Sequence, residues 1–431
     1  MYPNLYYAFR DLFGVDWKFL RFVNSFGFFV AISFIGAAIT LTMELRRKER
    51  QGLLQGMDEK LLVGKPASPA ELLTNFIIGF LVGYKFIGLF LLNSSMAVNP
   101  QDFIMSAQGS WPAGLLVGLL FAGLKWWEKQ KQKLPEPEER TIRIWPHDRV
   151  PDMAVLAALF GFLGAKIFNS LETWGDFVKN PLESLFSFSG LTFYGGLICA
   201  ALAIWYYASK RKIGFWYLND AAAPGLMLAY ALGRIGCQVS GDGDWGIINS
   251  GYVTMPDQRV VITGNSFEQN IAHRSDYYLS QFGTLDVPHM TLKGPSFVPN
   301  WLMAYQYPHN VINEGLKIPG CTDQYCSYLP LPVFPTPIYE TTVCLILFFI
   351  IWSFRKRFTV PGTLFGFYLL LNGIERFFIE KIRVNTRYNI FGFHPTQAEI
   401  ISFLLILTGV LLMILLPRSA RKRSGQPGNA G

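Results

Sequence analysis

The run Gly233-Arg234-Ile235-Gly236-Cys237-Gln238-Val239-Ser240-Gly241-Asp242-Gly243-Asp244-Trp245-Gly246 puts an arginine at the end of a stretch, Ala221 to Leu232, that carries no charge. An arginine at membrane depth costs roughly 3 kcal/mol or more, so it faces a protein interior and holds something anionic. It cannot shed its charge, and its planar fork of donors suits phosphate. The glycines let backbone approach such a group closely. These residues form a candidate lipid-phosphate site. The competing reading is an arginine that snorkels to the interface and marks a helix end.

A second cationic helix end follows. Asn372, Arg376 and Glu380 recur every four residues and share a helix face, with Arg383 three further on. Arg376 and Glu380 could simply satisfy each other. Two helices that each end in arginine on one side of a membrane fit a phospholipid headgroup better. Three more places carry polar chemistry: Tyr194-Gly195-Gly196, Tyr339-Glu340 after Phe334-Pro335-Thr336-Pro337, and Lys166. All five histidines (His147, His273, His289, His309, His394) lie outside the apolar segments. A proton acceptor must then be Tyr194, Glu380, Glu340, Asp242 or the phosphate of the substrate. Asp242-Gly243-Asp244 has a fragment of a calcium-loop pattern, but the other ligand positions are missing, and it reads as a tight external turn.

Positioning such groups falls to apolar helices. Of the 431 residues 51% are hydrophobic and only 16% charged, against about 25% charged in a soluble chain. Nine apolar segments, near 23–44, 71–92, 111–127, 152–171, 191–208, 217–236, 339–354, 361–380 and 397–416, approach the span of a bilayer. The expected fold is an all-α polytopic membrane protein of about nine transmembrane helices with a small extracytoplasmic head. The net charge of +8 comes from short basic clusters between apolar segments, so it points to membrane orientation and not to nucleic acid. Nine spans with the N-terminus outside put all five clusters on the cytoplasmic side. No cleavable signal peptide is expected, because some twenty mixed residues precede the first apolar segment.

The expected organisation is an N-terminal arm, first helix and cytoplasmic loop (1–70), a duplicated hairpin (71–131), a cytoplasmic linker (132–150), core helices (151–237), the head (238–338), further core helices (339–416) and a basic tail (417–431). Cys321 and Cys326 fall in the head, where an oxidising compartment would join them.

The duplication lies at a constant offset of 81 residues. Lys85, Asn99-Pro100, Ser106, Gly109, Gly114, Leu116, Ala122, Lys129 and Lys131 recur as Lys166, Asn180-Pro181, Ser187, Gly190, Gly195, Leu197, Ala203, Lys210 and Lys212. Ten identities without a gap indicate a repeated helical hairpin. Ala113 stands where the second copy has Tyr194, so the first copy reads as structural. It is expected to pack on the core through Gly79, Gly83, Gly114 and Gly118. The charged stretch Gln130 to Asp148 reads as an exposed loop.

Four elements occur in order: Phe193-Tyr194-Gly195-Gly196, the Gly-Arg-Ile-Gly run with its trailing Trp245-Gly246, Pro335-Thr336-Pro337-Ile338-Tyr339-Glu340, and Arg376-Phe377-Phe378-Ile379-Glu380. With Asp220-Ala-Ala-Ala-Pro224 and His394-Pro-Thr-Gln397 they resemble the bacterial prolipoprotein diacylglyceryl transferases over residues 23–45 and 150–416. The 71–131 hairpin looks like an addition to that family's usual seven helices. The resemblance implies transfer of a diacylglyceryl group from phosphatidylglycerol to the lipobox cysteine thiol of a preprolipoprotein in the bacterial inner membrane. The products are a thioether and glycerol 1-phosphate.

By that resemblance Arg234 and Arg376 hold the phosphate, Glu380 orients Arg376, and Tyr194 occupies the thiol-activating position where many members have histidine. Gly195, Gly196, Gly236, Asp242, Gly246, Tyr339, Glu340 and Arg383 become candidate substrate-binding residues. No metal or organic cofactor is implied. Cys237, Ser240 and Asp242 replace residues common in the family signature, one extra residue precedes Trp245, and Phe26 stands where a tyrosine is usual. A secondary transporter or lipid flippase is the competing class. The repeat does not divide the chain into halves, which counts against it.

Overall fold

The computed structural model describes all residues except 92–102, 104–107, 180, 182–191, 256, 385–387, 389–393 and 425–431. Several of the repeat positions, Asn99-Pro100, Ser106, Asn180, Ser187 and Gly190, lie outside the described residues. The chain divides into two compact units, Met1–Leu45 with Phe215–Gly431, and Arg46–Gly214.

Every expected apolar segment carries a helix. After a short helix α1 (Leu5–Phe13) come α2 (Ser25–Arg50), α3 (Pro69–Leu81), α4 (Trp111–Lys131), α5 (Val150–Glu172), α6 (Phe193–Lys210), α7 (Phe215–Ser240), α8 (Thr336–Phe354), α9 (Thr363–Glu380) and α10 (Gln397–Ser424). Among the described residues five helices are long and apolar enough to cross a membrane: Ser25–Arg50, Pro69–Ile87, Pro146–Glu172, Thr336–Phe354 and Gln397–Ala420. The molecule is an all-α membrane protein at this level of description.

In the Arg46–Gly214 unit, α3 starts at a capping box. The Ser68 hydroxyl accepts from Glu71 N at 3.1 Å while the Glu71 carboxylate accepts from Ser68 N at 2.9 Å, satisfying donors a helix start leaves open. The glycines expected to pack the hairpin on the core instead pack α3 against α4. A Cβ on Gly83 would stand 2.3 Å from the Ala113 carbonyl, and one on Gly79 would stand 2.7 Å from that of Val117. The second copy repeats the device: a Cβ on Gly164 would stand 2.5 Å from the Gly195 carbonyl, bringing α5 against α6. Small residues at such spacing let helix backbones meet. Lys85 turns its ammonium to backbone carbonyls, Phe103 O at 3.2 Å and Gln108 O at 2.8 Å.

Within the charged stretch read as a loop, seven residues form a strand. Glu138–Ile144 pairs antiparallel with Met57–Val63, from Met57 opposite Ile144 to Val63 opposite Glu138. It remains solvent-exposed, as its charge requires. The ribbon joins the chain entering α3 to the chain leaving α4, so the hairpin between them is an excursion closed at its base.

In the other unit α7, α8 and α9 pack together around a seam of Ala223, Met227, Ala231, Cys344, Ile351 and Leu364. The buried Asp220 carboxylate of α7 accepts from Gly362 N at 2.8 Å and Phe365 N at 2.9 Å, capping the start of α9. Arg355 pairs with the buried Glu44 at 2.7 Å, tying α8 to α2. The polar segment between α7 and α8 has its own apolar core, made of Ile248, Ile271, Tyr278, Val287, Tyr307, Leu329, Leu331 and Val333. Its strands are two or three residues long, as its scattered Pro and Gly lead one to expect. Cys321 and Cys326 form a disulfide within it, with Cα atoms 5.7 Å apart.

Candidate active site

Three arginines converge on one buried carboxylate. Glu340, in the first turns of α8, is fully inaccessible. Its Oε2 pairs with Arg234 Nε at 2.8 Å and lies 3.7 Å from Arg376 Nη1, while its Oε1 lies 3.3 Å from Arg383 Nη1. The Tyr230 hydroxyl donates to Oε2 at 2.5 Å, one helical turn before Arg234 on α7. Arg376 Nη2 also lies 3.5 Å from Glu380, one turn along α9. A second carboxylate, Asp244, bridges two of the arginines: Arg383 Nη2 donates to Oδ1 at 2.7 Å, and Arg234 Nη1 donates to Oδ2.

Backbone geometry sets this convergence. Gly241, with φ +64°, ends α7 and donates its N–H to the Cys237 carbonyl at 3.0 Å. Gly243, with φ +96°, turns the chain again, a conformation that glycine alone adopts readily. Asp242 accepts from Asp244 N at 3.3 Å and so shapes the turn that presents Asp244. The Asp244 carbonyl accepts from the Thr336 hydroxyl at 3.1 Å, which fixes the turn to the start of α8. The next residues thread between two chains: Gly246 N donates to Phe334 O and Ile247 N to Ile382 O, each at 2.9 Å. A Cβ on Gly246 would stand 2.5 Å from the Ile382 carbonyl, so this close passage, which brings Arg383 beside Asp244, needs glycine.

The turn carboxylates differ electrostatically. Burial pushes the Asp244 carboxyl up, but Arg234 and Arg383 more than reverse that and hold it at about 2. Burial raises the Asp242 carboxyl, which bonds neither arginine. Two guanidinium nitrogens in the cluster, Arg376 Nη1 and Arg383 Nε, are buried without a hydrogen-bond acceptor among the described residues.

The structure therefore brings together Arg234, Arg376, Arg383, Glu340 and Glu380. Gly236 packs α7 on α2, where a Cβ would stand 3.1 Å from that of Phe29. The Tyr339 hydroxyl donates to the Leu302 carbonyl, away from the arginines. Gly195 and Gly196 face α5: Cβ atoms there would stand 2.7 Å from Gly164 O and 2.8 Å from Gly161 O. Tyr194 opens α6 in the Arg46–Gly214 unit. Sequence reading missed Asp244 and Tyr230. Asp244 was visible only as half of a turn motif, although the extra residue before Trp245 moved an acid next to it. Tyr230 carried a usable signal, since it lies four residues before Arg234.

A guanidinium cluster inside a helical membrane protein marks a place where an anion can be held. The chain belongs to the prolipoprotein diacylglyceryl transferase family, whose model matches residues 112–415. The match opens in α4, inside the hairpin read as an addition to the family, and does not include the 23–45 stretch of the resemblance. The chain is similar to the phosphatidylglycerol–prolipoprotein diacylglyceryl transferase of Leptospira interrogans, 24% identical over 70% of this chain and 86% of that one. The enzyme of that name from Lactobacillus acidophilus is 25% identical over 74% and 91%. That from Enterococcus faecalis is 24% identical over 63% and 77%.

Proposed function

We propose that this chain transfers the diacylglyceryl group of phosphatidylglycerol to the lipobox cysteine thiol of preprolipoproteins in the bacterial inner membrane. Family membership supports the reaction class. The observation that carries the headgroup assignment is the convergence of Arg234, Arg376 and Arg383, with two buried donors lacking an acceptor.

The chemistry needs such a site. The thiol sulfur attacks a glycerol CH2; an S–C bond forms and the C–O bond to phosphate breaks. The electron pair stays on the phosphate as glycerol 1-phosphate leaves, and the thiol proton passes to a base. The phosphodiester is a poor leaving group until its growing charge is neutralised, and preorganised guanidinium donors do this without reorganising. A free thiol has a pKa near about 8.5, and nearby positive charge favours the thiolate. Arg234 and Arg376 hold the phosphate in this reading, Glu380 and Glu340 fix the guanidinium planes, and Asp244 yields donors of Arg234 and Arg383 when the anion enters. Tyr194 is the proposed thiol-side group.

The accompanying topology is nine spans with the N-terminus outside, the C-terminus cytoplasmic and the 238–338 head outside. The test is purified protein with a lipobox peptide in vesicles. Phosphatidylglycerol with a cysteine peptide should give the diacylglyceryl thioether by mass, and phosphatidylethanolamine or a serine peptide should not. Movement of lipid between leaflets without peptide modification would favour the transporter class instead.

A further inference from the structure

The segment between α7 and α8 holds a cavity of about 70 Å³ that the proposed reaction does not use. Its walls include the buried Ile248, Tyr278, Val287, Leu331 and Val333. Phe282 and Val384, both more than half exposed, also line it. One water needs about 10–15 Å³ of such space, so the cavity takes about five to seven non-hydrogen atoms. That is one side chain, not a lipid tail.

Glu314 is the one charged residue in this lining among the described residues. The buried Asn310 clamps its backbone: Glu314 N donates to Asn310 Oδ1 at 2.8 Å, and Asn310 Nδ2 donates to Glu314 O at 2.9 Å. The Glu314 side chain is half-buried, and among the described residues no donor and no cation meets its carboxylate. Tyr277 and Tyr278 flank it, and Arg274 lies near Tyr278 without pairing with Glu314. A carboxylate among aromatic rings and apolar walls suits a side chain with an apolar stem and a cationic end. The stem covers apolar surface, and the cation meets both the carboxylate and the ring faces. A phosphate would find repulsion there and no donor.

The cavity shares a wall with the arginine cluster. Trp245 and Gly246 line it, and the residue before them is Asp244. Val384 lines it, and the residue before that is Arg383. The antiparallel pairing of Gly246 with Arg383 is the partition. Successive Cα atoms lie about 3.8 Å apart, so a few extended residues reach from the cluster to the cavity.

We propose that this cavity is a recognition pocket for the acceptor polypeptide, in which Glu314 selects a lysine or arginine a few residues after the reacting cysteine. This rests on the cysteine-lipidation reading above. A signal segment keeps its basic end in the cytoplasm and its apolar run in the bilayer. The residues after its cysteine therefore emerge on the outer side, where the head lies in the proposed topology. Glu314 touches the acceptor but not the reacting atoms, so it changes peptide affinity and leaves the chemical step alone.

The experiment is lipidation by the purified full-length protein in phosphatidylglycerol vesicles. The lipobox peptides carry Lys, Leu or Glu at each of the five positions after the cysteine in turn. In wild type, at one or two adjacent positions, the Lys peptide should have a KM about tenfold below that of the Glu peptide, with kcat unchanged. That is the size expected when an attractive charge pair at a partly exposed site becomes a repulsive one. Anionic vesicles attract every Lys peptide, so the decisive quantity is this ratio in wild type against Glu314→Gln and Glu314→Lys. Glu314→Gln should lose most of it and Glu314→Lys should reverse it. Each ratio is taken within one preparation, so it does not depend on how much of a variant folds. A ratio that is the same at all five positions, or that survives unchanged in both variants, overturns the proposal. So does a ratio carried by kcat in place of KM. Lipidation of every peptide without charge preference overturns this proposal alone. If no peptide is lipidated, the functional reading falls and this one with it.

Discussion

Glu340 faces three guanidiniums and has no contact with solvent. Truncating one member of a buried charge cluster strands the others, which costs about 3–5 kcal/mol. Glu340→Ala should therefore lower the thermal unfolding midpoint of the purified protein sharply, and Glu340→Gln less so. An unchanged midpoint for the alanine variant would mean that this cluster does not hold α7, α8 and α9 together. Asp244 needs a different probe. Its folded value of about 2 lies below that of a free aspartate, so its arginine contacts persist at neutral pH and are lost only as pH falls toward 2. Substitution, not titration, tests it at working pH. On the thiol side, Tyr194→Phe should lower lipidation about 100-fold or more if its hydroxyl is the base, while Ala113→Ser at the equivalent position of the first repeat copy changes little. Normal lipidation by the phenylalanine variant would move the role to Glu380 or the phosphate. At this scale the arginines were legible in sequence because a permanent charge inside an apolar run needs a reason. Asp244 was not, since its role depends on a turn whose direction is set by Gly241, Gly243 and a clasp on Thr336.

The long helices followed from hydrophobic runs, basic ends and caps such as Ser68 with Glu71. Their partners did not. Gly79 and Gly83 were recognisable as packing glycines, but choosing α4 over the rest of the molecule requires knowing which carbonyl stands opposite. The strand Glu138–Ile144 escaped notice because it is charged and exposed, with only Ile142 and Ile144 in apolar alternation. We propose that the first hairpin is a structural or lateral-gate accessory and not part of the active site. Lys85→Met should retain lipidation at matched expression, since the Lys85 ammonium serves backbone carbonyls of its own hairpin. If Lys85→Met alone silences the enzyme, the first hairpin belongs to the catalytic site. The Cys321–Cys326 bridge gives an element-scale test of sidedness. In intact cells a membrane-impermeant thiol reagent should label neither cysteine before reduction and both after it. No labelling even after mild reduction would leave the head without support for an outside location.

For the whole molecule, composition separates a membrane protein from a soluble one, and the ordered motifs narrow the chemistry to one family. How the arginines share their charge among Glu340, Asp244 and Glu380 is a property of the fold, because those residues come from α7, α8, α9 and the turn after α7. The central claim is that this cluster neutralises the phosphate during diacylglyceryl transfer to a thiol. The most direct measurement is thioether formation on a lipobox peptide by purified Arg234→Ala and Arg376→Ala in phosphatidylglycerol vesicles, with membrane insertion verified for each. Losing a charge-assisted contact to a buried anion is worth about 2–5 kcal/mol, so each variant should fall at least about 30-fold and up to several thousand-fold. Lipidation near the wild-type rate by either inserted variant would contradict the account.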